Sequence, residues 1–171
     1  MFVTREFPLV TRRRQIPSDT RSHVLCVDDD EDACEMLSVL MRSEGIDVTC
    51  AQSAAEAWLR IKAETFDLYM LDGWLPNVDG FEFCRQIREC DSVTPILFYS
   101  GAAYDADKEK GIAAGANAYV TKPDVEGLID TIIDLIAKAK ADRVTAGWVV
   151  KSRSAEYVFS AQSLSIEPAT S

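Results

Sequence analysis

Two kinds of metal ligand are scarce or badly spaced in this sequence. The 171 residues include one histidine, His23, and none of the five cysteines forms a Cys-x-x-Cys pair. Structural zinc sites combine four such ligands at short, regular spacings. We therefore expect no zinc site, and Cys26 and Cys50, which lie in strand-like runs, are most simply small core residues.

Long apolar runs are also absent. No stretch is long enough to span a bilayer, and the arginines at 12–14 are followed by the polar residues 17–20. This order argues against both a secretory and a twin-arginine signal. An odd number of cysteines without such a signal fits a reducing compartment, so we expect a cytoplasmic protein with no membrane insertion.

Positive charge is scarce in the body of the chain. The net charge of the whole sequence is −10, and residues 23–142 alone carry −14, from 10 basic and 24 acidic side chains. A body this acidic is a poor ligand for phosphate backbones, so we expect no direct contact with nucleic acid. The slightly basic ends are more typical of solvated tails than of a binding device.

Short apolar runs without polar alternation are typical of strands buried on both faces of a parallel sheet. One such run, 68–71, ends on Asp72. The same pattern predicts five strands, at 23–27, 46–51, 68–71, 95–99 and 118–120.

Helical periodicity fills the intervals between these strands. Gly45 is placed as a helix C-cap, and Ser53 with Glu56 forms a capping box. Helices are predicted over 32–42, 53–61, 81–88, 106–114 and 125–141. Five strands alternating with five helices through short connections imply a parallel α/β sheet covered on both faces.

The pattern sets the domain limits. We predict one domain over 22–142, a flexible extension over 1–21 and a tail over 143–171. The apolar runs 148–150 and 157–159 could pair as a short hairpin. Some 29 residues are too few for a winged-helix or helix-turn-helix output domain.

Polar side chains follow four of the five predicted strands. Asp28 and Asp29 follow the first strand, Asp72 the third, Ser100 the fourth and Lys122 the fifth. Because the carboxyl ends of parallel strands meet at one edge of a sheet, we expect these five side chains to converge.

Such a group has a definite chemistry. Two carboxylates ~4 Å apart repel by about 4 kcal/mol at an effective dielectric near 20, so three require a cation. A hard divalent ion, Mg²⁺ with Mn²⁺ as the alternative, would meet that need and leave positions for phosphate oxygens. Lys122 and Ser100 could bind the same phosphate, and Asp72 could attack it to form an aspartyl phosphate.

Each residue alone has a simpler interpretation. The acidic run could only cap a helix, with Asp30 as the N-cap. Ser100 could cap a strand end, Tyr119 could be a core aromatic, and Lys122 could be a solvated charge. Their joint occurrence at successive strand ends favours a site.

Several motifs together resemble the receiver domain of two-component response regulators. They are 24–30, Asp72 with 75–80, Ser100 with Gly101, and 115–123, and the resemblance covers about residues 22–142. It implies a doubly wound, flavodoxin-like sheet of five parallel strands in the order 2-1-3-4-5.

The resemblance also implies roles for individual residues. Asp72 matches the phospho-acceptor, and Asp28, Asp29 and Asp72, with the backbone carbonyl of Trp74, match the Mg²⁺ ligands. Lys122, whose bond to Pro123 is often cis in that family, matches the phosphate-binding lysine.

A second pair of positions matches the family's conformational switch. Ser100 is expected to turn toward the phosphoryl group, and Tyr119 to follow it into the vacated space.

Three positions depart from the common pattern. Gly73 replaces a larger apolar residue, and Asp124 replaces an aromatic one. The segment 115–118 lacks the acidic pair seen in many winged-helix regulators, which argues against their particular dimer.

The expected function is a phosphorylation-activated signalling switch. It would accept a phosphoryl group from a histidine kinase or phosphotransfer protein onto Asp72. It would not be an enzyme, apart from its own phosphorylation and dephosphorylation. Output would pass to a protein partner or a second copy through the face from the fourth to the fifth helix.

Two other classes stay open. One is a Mg²⁺-dependent phosphohydrolase with a transient aspartyl phosphate, although such enzymes usually carry a second acid where this chain has Trp74. The other is an inert scaffold, against which the intact acids and lysine argue.

Overall fold

The structure is a computed structural model, and it describes residues 21–102 and 104–145. Of the predicted extension, only Arg21 is described, and its guanidinium lies 2.8 Å from the Asp47 carboxylate. Of the predicted tail, residues 143–145 are described and continue the last helix. The suggested hairpin lies outside the described residues.

Seven strands are formed within the described residues. They are β1 (Ser22–Val27), β2 (Ile46–Ala51), β3 (Leu68–Leu71), β4 (Trp74–Leu75), β5 (Val78–Asp79), β6 (Ile96–Ser100) and β7 (Ala118–Thr121). Five of them form a parallel sheet in the order β2-β1-β3-β6-β7. Counted over the sheet alone this is the predicted order 2-1-3-4-5, so the doubly wound fold is confirmed.

Five helices connect these strands. They are α1 (Glu31–Ser43), α2 (Ala54–Ala63), α3 (Gly80–Cys90), α4 (Asp105–Ala113) and α5 (Val125–Thr145). The predicted N-caps are confirmed: the side chain of Asp30 accepts from Ala33 N, and that of Ser53 from Glu56 N. None of the helices within 21–102 and 104–145 is long and apolar enough to cross a bilayer.

The sheet carries a separate apolar core on each face. One core joins the sheet to α2 and α3 and includes Phe83 and Ile87, and the other joins it to α1 and α5 and includes Leu37 and Ile132. All four residues of β3 are buried, which explains why the run 68–71 has no polar face. Because β3 is the central strand of the sheet, its carboxyl end lies in the middle of the sheet edge.

The sequence interpretation missed a small hairpin. No strand was predicted between Asp72 and the third helix, but β4 and β5 pair there as an antiparallel ribbon. Asn77 takes the left-handed φ of 64° that its tight turn needs. Strands of two residues are too short to show any periodicity.

Arg88 of α3 fixes the segments that follow it. Its guanidinium donates to the backbone oxygens of Gly115, Asp91 and Thr94, at 2.7 to 3.0 Å, and to the side-chain oxygen of Asn117 at 2.8 Å. These bonds tie α3 to the connections before β6 and β7. The half-buried Arg88 therefore has a structural role: it holds these two connections against α3.

We expect Arg88→Ala to lower the free energy of unfolding by about 2–3 kcal/mol, because it leaves carbonyls without a charged donor. The matched control is Arg85→Ala in the same helix, which removes only an exposed ion pair with Glu82 and should cost less than about 0.5 kcal/mol. Urea unfolding of the two variants measures the difference. Equal losses of unfolding free energy in the two variants would show that Arg88 does not hold these connections together.

Candidate functional site: a lysine between two buried aspartates

Four of the predicted site residues meet at the carboxyl edge of the sheet. Asp28 directly follows β1, Asp72 follows β3, Ser100 is the last residue of β6, and Lys122 follows β7. These positions come from four neighbouring strands, so the sheet order itself brings the side chains together.

The Asp72 carboxylate is buried and held on both oxygens. Its Oδ1 accepts from Ser100 Oγ at 2.7 Å and from Trp74 N at 3.1 Å. Its Oδ2 accepts from Lys122 Nζ at 2.7 Å. With 9% of its surface exposed, Asp72 is fixed in one orientation but stays reachable from solvent.

Lys122 bridges two carboxylates. Its Nζ lies 2.6 Å from Asp28 Oδ2 as well as 2.7 Å from Asp72 Oδ2. The other oxygen of Asp28 accepts from the backbone N–H of Asp30 at 3.0 Å. The structure therefore places two buried carboxylates around one partly buried ammonium group.

Burial and pairing act oppositely on this lysine. Burial alone lowers the pKa of Lys122, whereas its hydrogen bonds to Asp28 and Asp72 raise it, and the net effect is a raised pKa. The lysine is thus a permanent cation at physiological pH.

Tyr99 is a neighbour that the sequence interpretation missed. Its ring centroid lies 5.7 Å from Lys122 Nζ, within the range of a cation–π contact. Burial raises the pKa of its phenol. The available signal was its place next to Ser100 at a strand end, but that position does not tell which face the ring takes.

Two predicted residues contribute no side chain to this network. Asp29 is exposed, and its carboxylate takes no part in the bonds that join Asp28, Asp72, Ser100 and Lys122. Trp74 touches the acceptor through its backbone N–H, while 70% of its surface is exposed.

Tyr119 lies just outside the hydrogen-bond network around Asp72. Its hydroxyl donates to the carbonyl of Ala102 at 2.8 Å, and its ring packs 5.8 Å from that of Phe98. A Cβ on Gly111 of α4 would come within 3.0 Å of both rings. Burial raises the pKa of the Tyr119 phenol. The tyrosine thus links the loop after Ser100 to α4.

The acidic residues suit a hard cation. The Oδ2 atoms of Asp28 and Asp72 both already lie within 2.7 Å of one positive nitrogen, and carboxylate oxygen is the ligand that Mg²⁺ prefers. Within 21–102 and 104–145 no group of three or more acidic, histidine or cysteine side chains is arranged to hold a metal ion. The Mg²⁺ site predicted at Asp28, Asp29, Asp72 and the Trp74 carbonyl therefore stays a prediction.

The connection after Lys122 is distinctive. The bond between Lys122 and Pro123 is cis, as in many members of the family that the sequence resembles. The chain then enters α5, where Asp124 Oδ1 accepts from Gly127 N at 2.9 Å. Asp124 is thus a cap, which explains the acidic residue at a position where an aromatic is common.

Comparisons with known proteins identify the family of this chain. The family described as "Response regulator receiver domain" matches residues 24–133. The alkaline phosphatase synthesis transcriptional regulatory protein PhoP of Bacillus subtilis is 37% identical over 100 residues, 58% of this chain and 42% of that protein. The gliding motility regulatory protein of Myxococcus xanthus is 32% identical over 133 residues, 77% of this chain and 16% of that protein.

A solved structure gives the same result. The putative response regulator from Chloroflexus aurantiacus is 31% identical, with a TM-score of 0.66, and the match covers 69% of this chain and 99% of that one. The chain spans half or less of the length of such curated relatives, between 16% and 50%.

Proposed function

Because the chain belongs to the response regulator receiver domain family, we propose that it is a phosphorylation switch with Asp72 as its acceptor. The proposal is carried by one observation: Lys122 Nζ lies 2.7 Å from Asp72 Oδ2 while Ser100 Oγ lies 2.7 Å from Asp72 Oδ1. A buried carboxylate held between a cation and a hydroxyl is oriented for attack on a phosphorus atom.

The charges of the pocket suit phosphoryl transfer. The incoming group brings negative oxygens, which Lys122 can neutralise and to which Ser100 can donate a hydrogen bond. Removing Lys122 from between the two aspartates would require another cation there. We therefore propose Mg²⁺, held by Asp28, Asp72 and the carbonyl of Trp74, with Asp29 joining after its side chain turns inward.

Bound Mg²⁺ would act as a Lewis acid on the transferring phosphoryl group. The protein's own part is to hold Asp72 in one orientation and to bury most of its surface and that of Asp28. Mn²⁺ offers the same preference for oxygen ligands and is the alternative ion.

We propose that the switch connects Asp72 to α4 through Ser100 and Tyr119. A phosphoryl group adds about −1.5 to −2 charges and three acceptor oxygens, and these would draw Ser100 Oγ from Asp72 Oδ1. The ring of Tyr119 would then leave the Ala102 carbonyl and move inward. Because a Cβ added at Gly111 would come within 3.0 Å of that ring, α4 packs closely on Tyr119 and would respond to its movement.

The donor we propose is a phosphohistidine on a histidine kinase or phosphotransfer protein. Output would pass through the surface formed by α4, β7 and α5, to a protein partner or to a second copy. A role as a phosphohydrolase has no supporting acid two residues after Asp72, where Trp74 stands.

The test is labelling with acetyl phosphate and Mg²⁺, followed by intact-mass measurement. We expect one phosphoryl group per chain, lost completely in Asp72→Asn and unchanged in Asp130→Asn, which alters an exposed acid on α5. Two results would contradict the proposal. Continuous release of phosphate over many turnovers would indicate a hydrolase, and an unlabelled wild-type chain would indicate an inert scaffold.

A further inference from the structure

Three of the five cysteines form a cluster that the phosphorylation chemistry does not use. Cys26 of β1 and Cys34 of α1 are each 1% exposed, and their sulfurs lie 3.2 Å apart. Cys50 of β2 is the register partner of Cys26 on the neighbouring parallel strand and packs against the same core. The fold thus brings together three thiols from three separate elements.

The distance between the first two sulfurs is short enough for a bond. A disulfide needs its sulfurs at about 2.05 Å, so an approach of about 1 Å would join Cys26 to Cys34. All three thiols are free in this structure. The two sulfurs are therefore close enough for oxidation to join them.

The solvent accessibility of each thiol determines which of the three reacts with an oxidant first. Cys26 and Cys34 are shielded, whereas Cys50 is half-buried on the edge strand of the sheet. Hydrogen bonds from Cys26 and Cys34 also lower the pKa of the Cys50 thiol. Exposure and hydrogen bonding both indicate that Cys50 is the thiol that reacts first with the oxidant, here called the entry sulfur.

We infer that Cys26, Cys34 and Cys50 form an oxidation site in which peroxide converts Cys26 and Cys34 into a disulfide. First the Cys50 thiolate attacks a peroxide oxygen. An S–O bond forms, the O–O bond breaks, and hydroxide leaves; it takes up the proton that the Cys50 thiol lost on ionisation and becomes water.

Two sulfur exchanges complete the oxidation. The Cys34 sulfur attacks the sulfenic sulfur of Cys50, so that an S–S bond forms, the S–O bond breaks and water leaves with the Cys34 proton. The Cys26 sulfur then attacks Cys34 and releases Cys50, which recovers a proton from Cys26. Two thiols lose two electrons in total, and one peroxide becomes two waters.

The bond would enclose the loop that carries Asp28 and Asp29. The Asp29 side chain is exposed in this structure. A disulfide that joins the two ends of the loop would restrict the rotation of Asp29 toward Asp72. We therefore expect the oxidised chain to bind Mg²⁺ more weakly, by roughly fivefold or more. This consequence rests on the proposed function, whereas the disulfide itself does not.

Tryptic mapping of the full chain gives a direct test of the disulfide. Cys26 and Cys34 fall in one tryptic peptide, residues 22–42, while Cys50 falls in residues 43–60. After hydrogen peroxide and alkylation we expect peptide 22–42 to be unalkylated and two hydrogens lighter. A full set of alkylated thiols, or a link between the two peptides, would overturn the assignment.

Three variants locate the chemistry. Cys34→Ala should abolish the product, and Cys50→Ser should slow its formation by roughly tenfold or more. Cys84→Ala is the control, because Cys84 is a buried thiol that bonds to the Ala114 carbonyl on the other face of the sheet. A rate unaffected by Cys50→Ser would overturn its role as entry sulfur.

Calorimetric titration with Mg²⁺ separates the two proposals. If the reduced chain binds Mg²⁺ and the oxidised chain binds it equally well, the coupling is wrong and the disulfide stands. If neither form binds Mg²⁺, the ion site of the proposed function fails while the peptide result is untouched.

Discussion

Replacing Lys122 with methionine is expected to lower the free energy of unfolding by about 3 kcal/mol at neutral pH without divalent ions. The substitution leaves two buried carboxylates, those of Asp28 and Asp72, facing the position of a lost cation. Two unit charges about 5 Å apart repel by roughly 3 kcal/mol at an effective dielectric near 20. Urea unfolding monitored by circular dichroism measures the loss.

Two controls isolate the electrostatic origin of that loss. Lys108→Met removes an exposed lysine whose ion pair with Asp105 is solvated, and should cost less than about 0.5 kcal/mol. Adding Asp28→Asn to Lys122→Met should recover part of the stability, since one buried charge is removed. If Lys122→Met were no less stable than Lys108→Met, the lysine would not be neutralising the pair.

The pH dependence of this contribution has a definite sign. The pKa of Lys122 is raised in the folded chain, so the folded state holds its proton more tightly than the unfolded state. The stabilisation is therefore complete below the unfolded pKa of about 10.4 and is lost as the pH rises above it. The difference between wild type and Lys122→Met should be constant near neutrality and should shrink in alkaline solution.

The sheet was predictable because its strands are buried on both faces. Runs such as 68–71 show this burial as unbroken apolar sequence, and the capping residues Asp30 and Ser53 mark where helices begin. The ends of elements were less accurate. α5 continues to Thr145, beyond the predicted 141, because its last turns carry no stop signal such as glycine or proline.

The site was predictable to the extent that it depends on strand ends. Topology alone brings Asp28, Asp72, Ser100 and Lys122 to one edge, and their residue types then define the chemistry. Side-chain direction is a different matter. Sequence spacing could not tell that Asp29 is exposed, since it depends on loop torsion angles.

The thiol cluster shows a further limit of sequence reasoning. Cys26 and Cys50 were interpreted as separate core residues, and the register between β1 and β2 places them side by side. The approach of Cys34 depends on how α1 packs on that face. Register and helix packing are tertiary facts, and no spacing along the chain encodes them.

Gly80→Ala is expected to cost about 2–3 kcal/mol, although alanine is the better helix former. A Cβ at this first residue of α3 would overlap the backbone oxygens of Asp72 and Gly73. The close approach is held by the hydrogen bond from Gly80 N to Gly73 O, at 3.2 Å. To admit a methyl group, α3 must move away from the acceptor, and thermal unfolding measures the loss.

Gly101→Ala is the matched control, because a Cβ there meets no heavy atom within 4 Å and should change stability by less than about 0.5 kcal/mol. The two variants also separate folding from positioning. A Cβ added at Gly80 would overlap the carbonyl oxygen of Asp72 itself. A shift of α3 should therefore slow acetyl phosphate labelling at a temperature where both variants are fully folded. Equal labelling of the two variants there would mean that α3 moves without displacing Asp72, and that the hydrogen bonds from Lys122, Ser100 and Trp74 N are enough to orient the carboxylate.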